Sequence, residues 1–255
     1  MEDKNSSCPI TEFDHDEGLI SPSAALPMDI VSLPSHIDTA VILFDRHRDE
    51  KLLENCTIFY NFAAGSSSLP QYIYKNAIVL AFSPLGSAAA GGLMEELIAF
   101  GVKRFIACGS AGLIDPSVDA AKFLIVNEAI RDEGLSYHYL PAAETVKLDE
   151  RLSALLRMKF DEAHLDYIEG MTWTTDGFYR ETKERINRRR GQGAISVEME
   201  CAGFAAVAQF RKVRFAQILY FSDIVHQEVW SGFTEEKKLI KNKINHAIIE
   251  IALSI

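Results

Sequence analysis

Glu198 and Glu200 are the only charges in the stretch Ala194 to Phe210, AISVEMECAGFAAVAQF. Burying an unpaired carboxylate costs several kcal/mol or shifts its pKa until it is neutral. A segment this apolar keeps two acids only where polar groups meet them, and a bound ligand is one such partner. A third acid follows. The apolar run Phe215-Ala-Gln-Ile-Leu-Tyr-Phe221 reads as a strand and ends in Ser222-Asp223. Ligands of open α/β sheets bind beyond the carboxyl ends of strands, so Asp223 stands where an acid catalyst belongs. The segment carrying Glu198 and Glu200 reads as a packed helix. On such a helix the two side chains lie about 200° apart. Both can face one pocket only if the helix starts irregularly; otherwise Glu198 serves the helix dipole.

The elements that must position these acids alternate between strand and helix. Thr39 to Phe44, Ala77 to Phe82, Lys103 to Cys108, Lys122 to Val126 and Tyr167 to Trp173 read as strands. Helices are expected over Leu93 to Phe100, stopped by Gly101, over Asp149 to Glu162, and over Thr234 to Leu253. Small residues fill the segments after two strands, Ser83-Pro-Leu-Gly-Ser-Ala-Ala-Ala-Gly-Gly92 and Gly109-Ser-Ala-Gly112. Both read as turns that let backbone N–H groups approach an anion or a sugar. Neither ends in the Gly-Lys-Ser/Thr of a nucleotide P-loop, and GxGxxG is absent. This alternation predicts an α/β fold with a largely parallel sheet. Residues 1–37, rich in Pro, Ser and Asp, are expected to form an extended arm, with 38–255 as one domain.

Composition narrows the function. The chain of 255 residues carries 36 acidic against 26 basic side chains, a formal net charge of −10. That argues against nucleic-acid binding and against an anionic membrane surface. The one basic cluster, Arg180 to Arg190, reads as a solvated helix or loop, with a phosphate-facing lid as the alternative. Cys8, Cys56, Cys108 and Cys201 are widely spaced, with no metal-ligand pattern. They suggest a reducing compartment. The polar N-terminus does not resemble a signal peptide, and no apolar run reaches the roughly 18 residues of a membrane span. A cytoplasmic location is expected.

Several segments in order resemble the nucleoside phosphorylase superfamily, which includes purine nucleoside phosphorylases, uridine phosphorylases and methylthioadenosine-type nucleosidases. They are SPLGSAAAGGLMEEL, KRFIACGSAGLI, AIRDEGLSYHYLP, TTDGFYRE, SVEMECAGFAAVA and ILYFSD. The VEME segment followed by the Ser-Asp pair is the most specific match. The resemblance implies a three-layer α/β phosphorylase fold with a mixed, partly barrel-like central sheet. It implies cleavage of a nucleoside N-glycosidic bond without metal or organic cofactor, with phosphate as co-substrate, in a homo-oligomer such as a dimer or hexamer. Residue by residue, Met199 and Glu200 match the groups that hold the ribose, with Glu198 beside them. Asp223 matches the general acid toward a purine, and Phe178 the aromatic that stacks on the base. AIRDEGLSYHY is closer to uridine-type members.

At the phosphate site the chain departs from that pattern. The loop after the first strand normally reads Gly-Asp-Pro-x-x-Arg; here Phe44 replaces the glycine and Arg48 stands at the arginine. Two further phosphate arginines fall at Ala64 and Ala107. Ser110 matches the hydroxyl that contacts phosphate, and the Gly86 turn completes the expected anion site. Arg46 and His47 are candidate substitutes for the missing cations. Asp49 falls near the water-activating glutamate of the nucleosidase branch. Three readings stay open: phosphorolysis of a purine or uridine nucleoside, hydrolysis, and ligand binding without turnover.

Overall fold

Runs of apolar residues without polar alternation form strands that are covered on both faces. Thr39–Leu43 (β1) and Ile78–Phe82 (β4) are buried at every position. The computed structural model describes residues 10, 12–26, 33–44, 50–225 and 235–255. Around these two strands lies one mixed sheet. It contains the hairpin Cys56–Ala64 (β2) and Ser67–Tyr74 (β3), then Arg104–Leu113 (β5), Phe123–Asp132 (β6), Thr145–Lys147 (β7), Tyr167–Thr175 (β8), Ala194–Glu198 (β9) and Arg214–Ile224 (β10). The strand order is β10-β6-β8-β9-β5-β1-β4-β3-β2, with β7 on β6. A further pairing of β10 with β5 closes β10, β6, β8, β9 and β5 into a barrel.

Helices cover both faces of this sheet. Ser87–Ala99 (α3) and Cys201–Arg211 (α7) share one core, where Leu93, Met94 and Leu97 meet Phe204 and Phe215. Glu150–Glu162 (α5) and Glu235–Leu253 (α8) close the other, where Leu156 and Phe160 join Ile248 and Ile249. Shorter helices are Pro22–Ala25 (α1), Glu50–Leu53 (α2) and Ser136–Tyr139 (α4), with Lys183–Gly191 (α6) beside the barrel. This is the three-layer α/β arrangement with a partly closed sheet that the sequence resemblance implies.

Several expectations change in detail. The sheet is mixed, as the resemblance implies, and not largely parallel as the alternation of elements alone predicts: β5–β9, β6–β10, β6–β7, β2–β3 and β3–β4 are antiparallel. The stretch Ala194 to Phe210 is a strand and then a helix. β9 is apolar because it is buried on both faces, so it lacks the alternation that would have announced a strand. Gly109-Ser-Ala-Gly112 is no turn but the second half of β5, and Asp223 lies within β10, which continues past a bulge between Phe221 and Asp223. In the expected arm, Glu17 pairs with Arg211 of α7 at 2.6 Å, so this segment contacts its own domain.

Candidate active site

The junction between β9 and α7 explains how both glutamates face one space. Glu198 ends the strand, and Glu200 is the N-cap of α7 with φ −134°. Met199 and Glu200 form the irregular step between the two, so the angular conflict of a continuous helix does not arise. Glu198 caps the helix. Its Oε2 accepts from the backbone N–H groups of Glu200 (2.8 Å) and Cys201 (2.7 Å), and its Oε1 accepts from Thr174 Oγ1 at 2.6 Å. Thr174 Oγ1 in turn accepts from Ala202 N at 2.9 Å. The otherwise unsatisfied N–H groups of α7 are thus met by side chains of two neighbouring strands.

Glu200 is held from the opposite direction. Its Oε1 accepts from Gly86 N at 2.6 Å, and Ser87 Oγ donates to Met199 O at 2.8 Å. Gly86 is the N-cap of α3 with φ +88°, a left-handed conformation that costs a side-chain-bearing residue energy. A Cβ on Gly203 would lie 2.9 Å from Ser87 Cβ, so glycine at that position lets α3 and α7 approach. Burial raises the pKa of both Glu198 and Glu200; the charge of Glu198 adds to the shift of Glu200 and that of Glu133 to the shift of Glu198, while the hydrogen bonds they accept pull the opposite way.

These residues line a cavity of about 460 Å³. Glu198, Met199 and Glu200 stand on one wall, Asp223 and Ser110 on β10 and β5, and Phe178 on the 3-10 turn Phe178–Arg180. Ser222 Oγ donates to Asp223 Oδ1 at 2.7 Å. The structure therefore brings together Glu198, Met199, Glu200, Phe178, Asp223 and Ser110. Gly86 reaches the site through its amide, which donates to Glu200. Arg48, with Arg46, His47 and Asp49, lies outside the described residues.

On the expected phosphate side the walls are apolar. Phe44 lies against β5, where a Cβ on Gly109 would stand 3.0 Å from its Cδ2, and its ring packs 6.3 Å from that of Phe204. Ala107 is fully buried in the core of β5, so no cation stands there. Among the described residues the lining includes four carboxylates, Glu181, Glu198, Glu200 and Asp223, and no Lys, Arg or His.

Glu181 was not picked out from sequence, because it sits in the charged run read as solvated. Most of that run is indeed helix α6. Arg185 and Arg189 are not free in solvent, however: both bind Asp132 Oδ2 at 2.9 Å, and Trp173 Nε1 donates to the same oxygen at 3.0 Å. The signal for Glu181 was its place three residues after Phe178, on the turn leading into that helix.

The family model described as "Phosphorylase superfamily" matches residues 39–254. The chain belongs to this superfamily. It is 28% identical over 167 residues to a DeoD-type purine nucleoside phosphorylase of Exiguobacterium sibiricum, covering 63% of this chain and 69% of that protein. The DeoD-type enzyme of Bacillus cereus is 28% identical over 214 residues, covering 80% and 85%. A uridine phosphorylase of Haemophilus influenzae is 27% identical over 108 residues, covering 42% and 43%, so that match spans under half of either chain. Membership in the superfamily accords with the mixed α/β fold and its barrel-like sheet. Among the described residues, no helix is long and apolar enough to cross a membrane.

Proposed function

We propose that this chain cleaves the N-glycosidic bond of a purine nucleoside, with phosphate as acceptor and with no metal or organic cofactor. The observation that carries the proposal is that Met199, Glu200, Phe178 and Asp223 line one cavity. Glu200 accepts hydrogen bonds from ribose hydroxyls and holds the sugar as it gains oxocarbenium character, with Met199 against the sugar face. Phe178 stacks on the base. Asp223 donates at N7, so the base leaves neutral. Glu198 acts indirectly, holding the start of α7 and hence the position of Glu200. Ser110 lines the anion side, and the sequence match assigns Arg48 to phosphate as well. The purine and uridine phosphorylases among the relatives support the reaction class, and Asp223 favours the purine.

A second reading has an observation of its own. The described cavity lining holds no cation, which suits water better than a phosphate anion as acceptor. Base release from inosine, adenosine and uridine, each measured with and without phosphate, separates the two. Phosphorolysis requires release that depends on phosphate and yields the sugar 1-phosphate. Release at an equal rate without phosphate assigns hydrolysis. No release from any nucleoside under either condition overturns both.

A further inference from the structure

One buried polar group on the cavity wall has no task in the reading above. Gln217 interrupts the apolar run of β10 and is 1% exposed. Its Nε2 donates to Ile218 O at 3.4 Å, and its Oε1 has no hydrogen-bond partner among the described residues. A buried acceptor without a donor is less stable than an apolar side chain of the same shape would be. A strand keeps such a group where something else supplies the donor. Gln217 lines the cavity shared by Glu200 and Asp223, so a ligand there can supply it. The register places the amide at the acceptor end. Gln217 pairs with Ala107 between parallel β10 and β5, so the two side chains stand side by side. Ala107 is the position where the sequence resemblance expects a phosphate arginine. A Cβ on Gly109 would lie 3.8 Å from Gln217 Nε2 and 3.0 Å from Phe44 Cδ2, so the amide stands close to Phe44, where the expected phosphate loop begins.

We infer that Gln217 is an acceptor-binding residue, whose Oε1 accepts the O–H of the group that attacks the sugar, hydrogenphosphate or water. This rests on the nucleoside reading of the cavity and applies to either acceptor. Gln217 is at none of the positions to which the resemblance assigns a role; a neutral amide from β10 stands beside the place where β5 lacks a charge. The chemistry follows from what each acceptor offers. Hydrogenphosphate carries one O–H near neutral pH and water carries two, so both bring a donor to Oε1. Sulfate has nearly the same size and shape but no O–H, and it faces the amide oxygen as acceptor against acceptor. A site built to receive an O–H discriminates strongly against an analogue that lacks one, because its own buried group is then left unpaired. Gln217 binds the acceptor and exchanges no proton with it. Gln217 and Asp223 then divide one strand between them, the first toward the acceptor and the second toward the base.

The test uses the full chain and its Gln217→Met and Gln217→Glu variants. Methionine keeps the length of the side chain without the amide, and glutamate keeps an acceptor but adds a charge. With inosine as substrate, kcat and the KM values for inosine and phosphate are read, with sulfate as competitor. Gln217→Met should raise the phosphate KM about 10-fold and leave the inosine KM unchanged. Wild type should bind phosphate at least about 10-fold more tightly than sulfate, and Gln217→Met should lose most of that preference. The melting temperature of Gln217→Met should equal or exceed that of wild type, because an unpartnered buried acceptor is removed; a purely structural amide would lose stability instead. Gln217→Glu should weaken phosphate binding by repulsion, and it carries the test if the methionine variant fails to fold. If base release does not depend on phosphate, Gln217→Met should lower kcat about 10-fold at unchanged inosine KM, while Gln217→Glu, which still accepts from water, retains the rate. A phosphate KM left unchanged in the phosphorolytic case, or a kcat left unchanged in the hydrolytic case, would overturn the inference. If the wild-type chain releases no base under any condition, the glycosidic reading falls and calorimetry with inorganic phosphate alone decides on Gln217. Phosphate binding weakened by Gln217→Met then supports the assignment; binding left intact, or no binding to wild type, overturns it.

Discussion

Asp223 and Glu200 do different work, and substitutions should separate them. Asp223→Ala removes the acid proposed to act at the base. It should lower purine-nucleoside turnover by roughly 10²–10⁴, the usual scale of general acid catalysis, while circular dichroism shows the fold unchanged. Wild-type turnover in that variant would take Asp223 out of the mechanism. Glu200 also leaves a mark on stability. Its folded pKa lies above the ordinary 4.5 because it is buried beside Glu198. The folded chain therefore holds this proton more tightly than the unfolded chain does. The stabilisation from that proton is complete below about pH 4.5 and is lost as pH rises through the folded pKa. Glu200→Gln cannot titrate, so its melting temperature should fall less than that of wild type over roughly pH 5–8. Parallel curves would show that Glu200 is not shifted.

The decisive elements are two helix starts that meet. The N-terminus of α3 delivers Gly86 and Ser87 to Glu200 and Met199, and the glycine at position 203 sets the separation. Gly203→Ala should force the helices apart. An overpacking cost of about 1–3 kcal/mol is expected, read from urea unfolding, with a rise in KM for the nucleoside because the ribose wall moves. A variant as stable and active as wild type would mean that the junction absorbs a methyl group freely. This level was only partly legible in the sequence. The apolar run with two acids identified the site, but β9 looked helical because burial on both faces removes alternation. The small residues of Gly109-Ser-Ala-Gly112 looked like a turn, yet they continue β5, where glycine leaves room for Phe44 and for the residues beside Asp223. The hairpin β2–β3 passed without notice; its register shifts between Ile58 and Tyr60, which breaks the period of two.

Across the whole molecule, the barrel holds the walls of the cavity in fixed relation. β5 and β10 pair along their length and bring Ser110 and Asp223 to the same end, while β8 and β9 carry Thr174 and Glu198 beside them. The alternation of elements and the ordered family segments made this architecture legible before coordinates. The barrel-like closure was legible only through the family resemblance, because it depends on a pairing of β10 with β5 between segments far apart in sequence. Nor was the role of Asp132, which ties α6 to the barrel through two arginines and Trp173 and so steadies the turn bearing Phe178 and Glu181. The central claim is that one cavity grips both halves of a nucleoside. A crystal structure with a bound C-nucleoside analogue, whose base cannot leave, tests it most directly. Ribose hydroxyls should be hydrogen-bonded to Glu200 beside Met199, with the base on Phe178 and its N7 toward Asp223. An analogue bound outside this cavity, or with its sugar at Asp223 and its base at Glu200, would contradict it.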